Sequence, residues 1–370
     1  MQTRAAVLYE TNTPWKIETI ELDPPRANEV LVKMAATGLC HSDEHSVTGD
    51  MPTGLPIIGG HEGAGVVEAV GPGVSELAVG DHVVFSFLPS CGRCPSCAAG
   101  HQNLCDLGAY LGGFQISDGT ARHHLLDGTD LHAMCLLGTF AEHTVVNVAS
   151  AVKIDDDISL ERACLLGCGV TTGWGSAVYA GGVGPGDAVA VVGAGGLGMN
   201  AIQGARLAGA EKIFAIDPVA FKRDTAKRFG ATHTAESIEG AVELIRDATQ
   251  GRMCTQVIST ISVGRGDLVA GLLSLAAKRG KVVITNIHNW SEMDVKANFF
   301  ELTLWEKQLI GSIFGSANPR FDIPQLARLY RGGQLDLDGL VTRTYSLDQL
   351  NDGYQDMRDG KNIRGVVTFD

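Results

Sequence analysis

The stretch Ala188-Val189-Ala190-Val191-Val192, running straight into Gly193-Ala194-Gly195-Gly196-Leu197-Gly198, decides the fold of the second half of this chain. Five compact apolar residues read as a buried strand, and the alanine-rich run Gly196–Leu207 that follows reads as a helix. Between them the glycines fit G-x-G-x-x-G. That pattern is weak by itself in a chain with 47 glycines, and the strand before it and the helix after it supply the context it needs. Gly193 makes the turn, Gly195 lets the backbone approach a pyrophosphate, and Gly198 permits close helix–strand packing. Gly196 and Leu197 open the helix whose N-terminus attracts the negative charge.

Outward from this turn, Lys212–Ile216 is a second strand and ends at Asp217, 24 residues after Gly193. A carboxylate there can accept both hydroxyls of an adenosine ribose and repels a 2′-phosphate. Pro218, Val219 and Ala220 supply no arginine to offset it, so NAD is expected rather than NADP. Ala220–Phe229 reads as a charged helix, and Gln256–Ser259 and Lys281–Thr285 as later strands of the same sheet. Such alternation predicts a doubly wound parallel sheet with helices on both faces, an α/β dinucleotide-binding domain.

The first half has a different texture. Val30–Met34, Gly65–Val70 and His82–Phe87 are short alternating or β-branched runs between glycine and proline, which predicts a β-rich, barrel-like domain. The stretch 335–370 closes on another strand, Arg364–Phe369, and reads as a return into that first domain. The expected divisions are 1–169, 170–313 and 314–370.

Bulk properties narrow the function. The net charge of −13 repels DNA, RNA and anionic lipid, so a nucleic-acid role is not expected. No uninterrupted apolar run reaches the roughly 18 residues of a spanning helix, so no membrane role is expected. Met1–Glu10 lacks the apolar core of a secretory signal. Of nine cysteines, four fall between residues 91 and 105, which favours metal over disulfides and a reducing, cytoplasmic location.

Those four, Cys91, Cys94, Cys97 and Cys105, form C-x2-C-x2-C-x7-C on a glycine- and proline-rich loop. Four thiolates close a tetrahedral zinc shell with no position left for substrate, so such a site staples a loop; an iron–sulfur cluster would use the same ligands. A second set is dispersed: Cys40 in GLCHSDEH (38–45), His61 in GGHEG (59–63) and Cys168 in GCG (167–169). Spacing does not say that these three meet.

Taken together, the GHEGAG run (60–65), the four-cysteine loop, GCGVTTGWGSAV (167–178), the nucleotide turn and NIRGVVTF (362–369) resemble the zinc-containing medium-chain alcohol dehydrogenases over essentially the whole chain. The stretch 111–139 is similar to the longer class I and class III form. The N-terminal half looks like an actinobacterial nitrosoaniline (NDMA)-dependent group. The resemblance implies a GroES-like catalytic domain beside a Rossmann domain, two zincs per subunit and NAD. It further implies a small alcohol or aldehyde substrate and a homodimer or homotetramer.

It makes Cys40, His61 and Cys168 the catalytic zinc ligands, with Glu62 a neighbouring carboxylate and Asp43 orienting His61. Ser42 and His45 become the proton relay. Thr172 is assigned to the nicotinamide side, Lys222 to the adenosine ribose, and His41 and Arg364 to the pyrophosphate. Two departures are His41, where many relatives place arginine, and Asn286, where many have glycine. The group similar in the N-terminal half is thought to hold its nicotinamide tightly. Two other readings share these residues: a thiol-dependent formaldehyde dehydrogenase acting on an S-hydroxymethyl adduct, and a non-catalytic nucleotide-binding relative.

Overall fold

A computed structural model describes residues 1–369. The chain forms two compact units, one from residues 1–168 together with the segment beginning at Asn318, the other from residues 169–317.

In the first unit, strands Gln2–Leu8, Lys16–Leu22, His123–His124, Asp130–Ala133 and Ile57–Ile58 close into a barrel. A second, seven-stranded sheet is organised around Glu29–Gly38, which pairs antiparallel with Gly63–Val70, His143–Asn147 and Arg364–Thr368. Along that central strand Val30, Val32 and Met34 point into a core with Val67, Val83 and Phe85, while Lys33 between them is exposed. This two-residue period is what a half-buried strand requires. The last strand therefore completes a sheet begun three hundred residues earlier, with Val366 opposite Gly38.

The long stretch between residues 111 and 139 is tied down by a buried ion pair. Arg122 is fully enclosed and binds Glu29 in a two-pronged contact, Nη2 to Oε1 at 2.7 Å and Nε to Oε2 at 2.8 Å. Asp118 adds a contact at 3.0 Å. A guanidinium saturated in this way avoids the several kcal/mol that an unpaired buried charge costs. Next to it, burial drives His123 down to about 3, and the charges of His124 and Arg122 push the same way. In the unfolded chain an imidazole titrates near 6.5. Below that pH the unfolded state takes up a proton that the folded state refuses, so stability is lost as pH falls from about 6.5 toward 3. Thermal melts across this window should show a steeper acid loss for the native chain than for His123→Gln; parallel curves would remove His123 from the balance.

The second unit holds a six-stranded parallel sheet in the order His233–Ala235, Lys212–Ile216, Ala188–Val192, Cys254–Ser259, Ala276–Ile284, Gln308–Gly311. Counted along the chain, this is the 3-2-1-4-5-6 arrangement of a doubly wound dinucleotide fold. Its interior strands bury both faces, which is why Ala188–Val192 and Lys212–Ile216 are nearly continuous apolar runs. Strand order reverses between Ala188–Val192 and Cys254–Ser259, which run parallel, and ligands of such sheets bind at the carboxyl ends of the strands at that point. Among the described residues no helix is long and apolar enough to cross a membrane.

Candidate functional site: two sulfur-rich metal centres and a nucleotide turn

Cys40 lies two residues beyond the end of the central strand and caps the helix His41–Thr48, its sulfur accepting from the Ser42 N–H at 3.5 Å. That helix carries Ser42, Asp43, Glu44 and His45 in its first turns. His61 follows strand Ile57–Ile58, and Cys168 lies at the end of the first unit. Despite their separation in sequence, one ligand atom each from Cys40, His61, Glu62 and Cys168 lies within 4.8 Å of the others, and all four residues are buried.

The electrostatics of this cluster fit a metal shell. Asp43, wholly buried, holds His61 Nδ1 at 3.1 Å and accepts the Gly60 N–H at 2.8 Å. That leaves His61 Nε2 buried with no hydrogen-bond partner, facing the two sulfurs. Its imidazole is held well above the ordinary value: burial lowers it, and the charges of Asp43 and Cys40 outweigh the burial. The hydrogen bond with Cys168 pulls the Cys40 thiol well down, and the same bond pushes Cys168 well up. Two sulfurs thus share one proton in a place where a divalent cation would let both ionise. Soft sulfur, imidazole and an orphaned ring nitrogen fit zinc.

Glu62 is the fourth member of the cluster. Burial lifts its carboxyl to about 7, opposed by the Arg364 charge, whose Nη2 binds Glu62 Oε2. Glu62 Oε1 has no partner. The pair needs the bare backbone of Gly38: a Cβ there would overlap the Glu62 carboxylate and come within 2.8 Å of Leu165. Phe87 stands edge-on to the His61 ring at 5.9 Å, an apolar wall beside the cluster that the sequence did not single out.

The second centre is local. The sulfurs of Cys91, Cys94, Cys97 and Cys105 also lie within 4.8 Å of one another, and none of the nine cysteines forms a disulfide. Backbone N–H groups aim at these sulfurs, from Cys91 to Cys105 at 3.4 Å, Cys94 to Cys91 at 3.3 Å, Cys97 to Cys94 at 3.5 Å and Asp106 to Cys94 at 3.4 Å. Such donors stabilise thiolates, and a bond from Arg93 is the largest of the effects that bring Cys91 down to about 6. The donor set fits a closed four-sulfur zinc site.

In the second unit, Gly193 adopts φ of 98°, and a Cβ there would meet the Thr260–Ile261 backbone at 2.8 Å. A Cβ on Gly198 would collide with the Gly193 carbonyl, whereas around Gly195 the space is open for 4 Å. Gly195 caps the helix Gly196–Leu207 without any side-chain bond, so the first N–H groups of that helix are left for an anion. Asp217 closes the turn, Oδ2 accepting from Ala194 N–H at 2.8 Å and Oδ1 from Val219 N–H at 2.9 Å. Thr172, in the helix Gly169–Gly175, is buried with its hydroxyl unpartnered, and Lys222 stands in the first turn of Ala220–Phe229. His41 and Arg364 belong to the first unit.

One expectation needs correction. Asp217 does have a neighbouring arginine: Arg223 Nη1 donates to the carbonyls of Asp217 and Pro218, each at 2.8 Å. The cation comes not from residues 218–220 but from the helix beginning at Ala220, which carries residue 223 back over the strand end.

A doubly wound nucleotide unit and a β-barrel unit bearing a Cys/His/Cys cluster and a four-cysteine loop define a zinc-binding dehydrogenase. Residues 26–156 match the family described as "Alcohol dehydrogenase GroES-like domain" and residues 196–331 the family "Zinc-binding dehydrogenase". The chain belongs to the zinc-binding alcohol dehydrogenases. It is 51% identical to alcohol dehydrogenase B of Mycobacterium tuberculosis, over 100% of this chain and 99% of the relative. It is 50% identical to an NDMA-dependent alcohol dehydrogenase of Amycolatopsis methanolica, over 99% of each. Among solved structures, benzyl alcohol dehydrogenase of Acinetobacter calcoaceticus superposes with a TM-score of 0.92 at 30% identity, covering 100% of both chains.

Proposed function

We propose that the protein oxidises a primary alcohol to its aldehyde, reversibly, using one zinc held by Cys40, His61 and Cys168 and NAD bound at the glycine turn. A second zinc sits in the four-cysteine loop. The observation that carries this reading is the meeting of Cys40, Cys168 and the unpartnered His61 Nε2 in one buried cluster.

Zinc supplies Lewis acidity, which makes a hydroxyl easier to ionise near neutral pH, and NAD supplies the hydride acceptor. The chain's own residues do the rest. Asp43 fixes the His61 ring so that Nε2 faces the ligand cluster. Ser42 takes the alcohol's hydroxyl proton and hands it toward His45, which delivers it to water. Glu62, paired with Arg364, stands ready to balance charge at the ligands. Phe87 excludes water beside the reacting carbon. Across the nucleotide turn, the N–H groups opening Gly196–Leu207 take the pyrophosphate, with His41 and Arg364 as its cationic contacts. Asp217 and Lys222 take the adenosine ribose, and Thr172 the nicotinamide side.

Metal analysis should give two zincs per chain, with nicotinamide reduction on adding a primary alcohol. One zinc and no reduction would leave a nucleotide-binding relative without activity. Formaldehyde oxidation only in the presence of a small thiol would instead favour the S-hydroxymethyl adduct as substrate. Nicotinamide released on denaturing the purified protein would assign it to the group that keeps its cofactor bound.

The homo-oligomer we propose forms across strand Gln308–Gly311. This strand is an outer edge of the six-stranded sheet, with Leu309 and Ile313 about two-fifths exposed. Nearby in sequence, Trp290, Met293, Phe299 and Phe300 are mostly exposed. An open edge with apolar surroundings is a template for pairing with a second copy. Light scattering should report a dimer or a multiple of it, and Leu309→Lys should weaken it; a monomer at micromolar concentration would overturn this.

A further inference from the structure

The helix carrying the relay residues ends in a turn that does more than stop it. Gly49 adopts a left-handed conformation, φ of 80°, and its N–H closes on the His45 carbonyl. The Met51 N–H reaches the same carbonyl at 3.3 Å. This turn folds Asp50 back beside the side chain five residues earlier, where Asp50 Oδ2 lies 3.1 Å from His45 Nδ1. The Thr48 hydroxyl donates to that same oxygen at 2.6 Å and fixes the carboxylate's rotation. The His45 side chain is only 3% exposed and that of Asp50 is 26% exposed. On the other side of the ring, His45 Nε2 is buried with no partner among the described residues.

We infer that Asp50 is a positioning residue for the proton relay: its carboxylate holds His45 in the Nδ1–H tautomer and presents a bare Nε2 to the incoming proton. A neutral imidazole carries one N–H, and a carboxylate at Nδ1 places it there, leaving the opposite nitrogen as the acceptor. When Nε2 takes the proton, the ring becomes an imidazolium and the adjacent carboxylate stabilises it without being protonated itself. The Nδ1 proton then leaves to water on the side where Asp50 is partly exposed, and exchange of the remaining ring proton restores the neutral Nδ1–H tautomer. This rests on reading His45 as the relay base.

The test is nitrogen NMR on protein labelled at histidine, together with single-turnover alcohol oxidation. In the native chain His45 should show a protonated Nδ1 and a bare Nε2. Asp50→Ala should move the population toward Nε2–H and slow the single-turnover rate by about tenfold to a hundredfold, with KM for the alcohol little changed. Asp50→Asn retains an acceptor for the ring without its charge, and should keep the tautomer while losing part of the rate. Thr48→Val, which frees the carboxylate's rotation, should give a smaller loss. A native tautomer and rate in Asp50→Ala would overturn the inference. His45→Gln separates the two layers: no loss of rate in that variant defeats the relay itself, whereas a loss there beside a native Asp50→Ala defeats only the role of Asp50.

Discussion

Cys168→Ser should yield a folded protein with one zinc in place of two and turnover reduced by roughly 10³–10⁴-fold, the several kcal/mol that a Lewis acid supplies to such a transition state. Serine is nearly isosteric, but its hydroxyl remains protonated and is a poor ligand for a sulfur-preferring ion. The substitution also breaks the shared-proton arrangement with Cys40, so the remaining thiol and His61 no longer converge on one charge. The four-cysteine loop lies elsewhere in the first unit and should keep its metal, which makes the zinc count diagnostic. NADH binding, read by fluorescence, should persist because the glycine turn is in the other unit. Two zincs and native turnover in this variant would remove Cys168 from the centre.

Asp217→Ala should change the ratio of kcat/KM for NAD over NADP by roughly a thousandfold. A carboxylate about 4 Å from a phosphate is worth about 4 kcal/mol at the effective permittivity of a protein surface, close to three powers of ten. Part of the change is lost affinity for NAD, since both ribose hydroxyls lose an acceptor, and the Ala194 and Val219 N–H groups lose theirs as well. The rest is gained affinity for NADP, and here Arg223 matters. Its guanidinium already rests on the carbonyls of residues 217 and 218, so a 2′-phosphate arriving after removal of the acid meets a cation in place. The double variant Asp217→Ala, Arg223→Ala should retain the loss with NAD and forfeit most of the gain with NADP. An unchanged preference in the single variant would place the ribose elsewhere.

Local patterns were legible wherever the physics is local. Ala188–Val192, Gly196–Leu207, Lys212–Ile216 and Ala220–Phe229 can each be read from apolar continuity or helical spacing, and the structure gives the same bounds. The four-cysteine loop is equally readable, because its ligands lie within fifteen residues. Less visible was the helix Pro319–Arg331, although Asn318 as its cap and Pro319 in its first turn were both present as signals. Arg122 was hidden for another reason. Nothing in a single sequence says that a charged side chain is enclosed until its partner, 93 positions away, is known. Arg223 and Asp50 were missed because helix and turn geometry, not adjacency, bring them to Asp217 and His45. Convergence of residues 40, 61 and 168 depends on how three separate segments end, which spacing cannot express; it entered through resemblance to a family.

Return of the chain's last strand to the first sheet has a consequence for biosynthesis. Arg364, the counter-ion of Glu62, and Tyr354, whose hydroxyl reaches the Cys40 carbonyl at 3.4 Å, emerge from the ribosome after Cys40, His61 and Cys168 have all been made. Until they arrive, a nascent chain holds Glu62 without its counter-ion beside Cys40, His61 and Cys168. Premature termination before residue 364 would thus leave a polypeptide with a complete nucleotide unit and an unfinished metal pocket, a species that could compete for dinucleotide without consuming it.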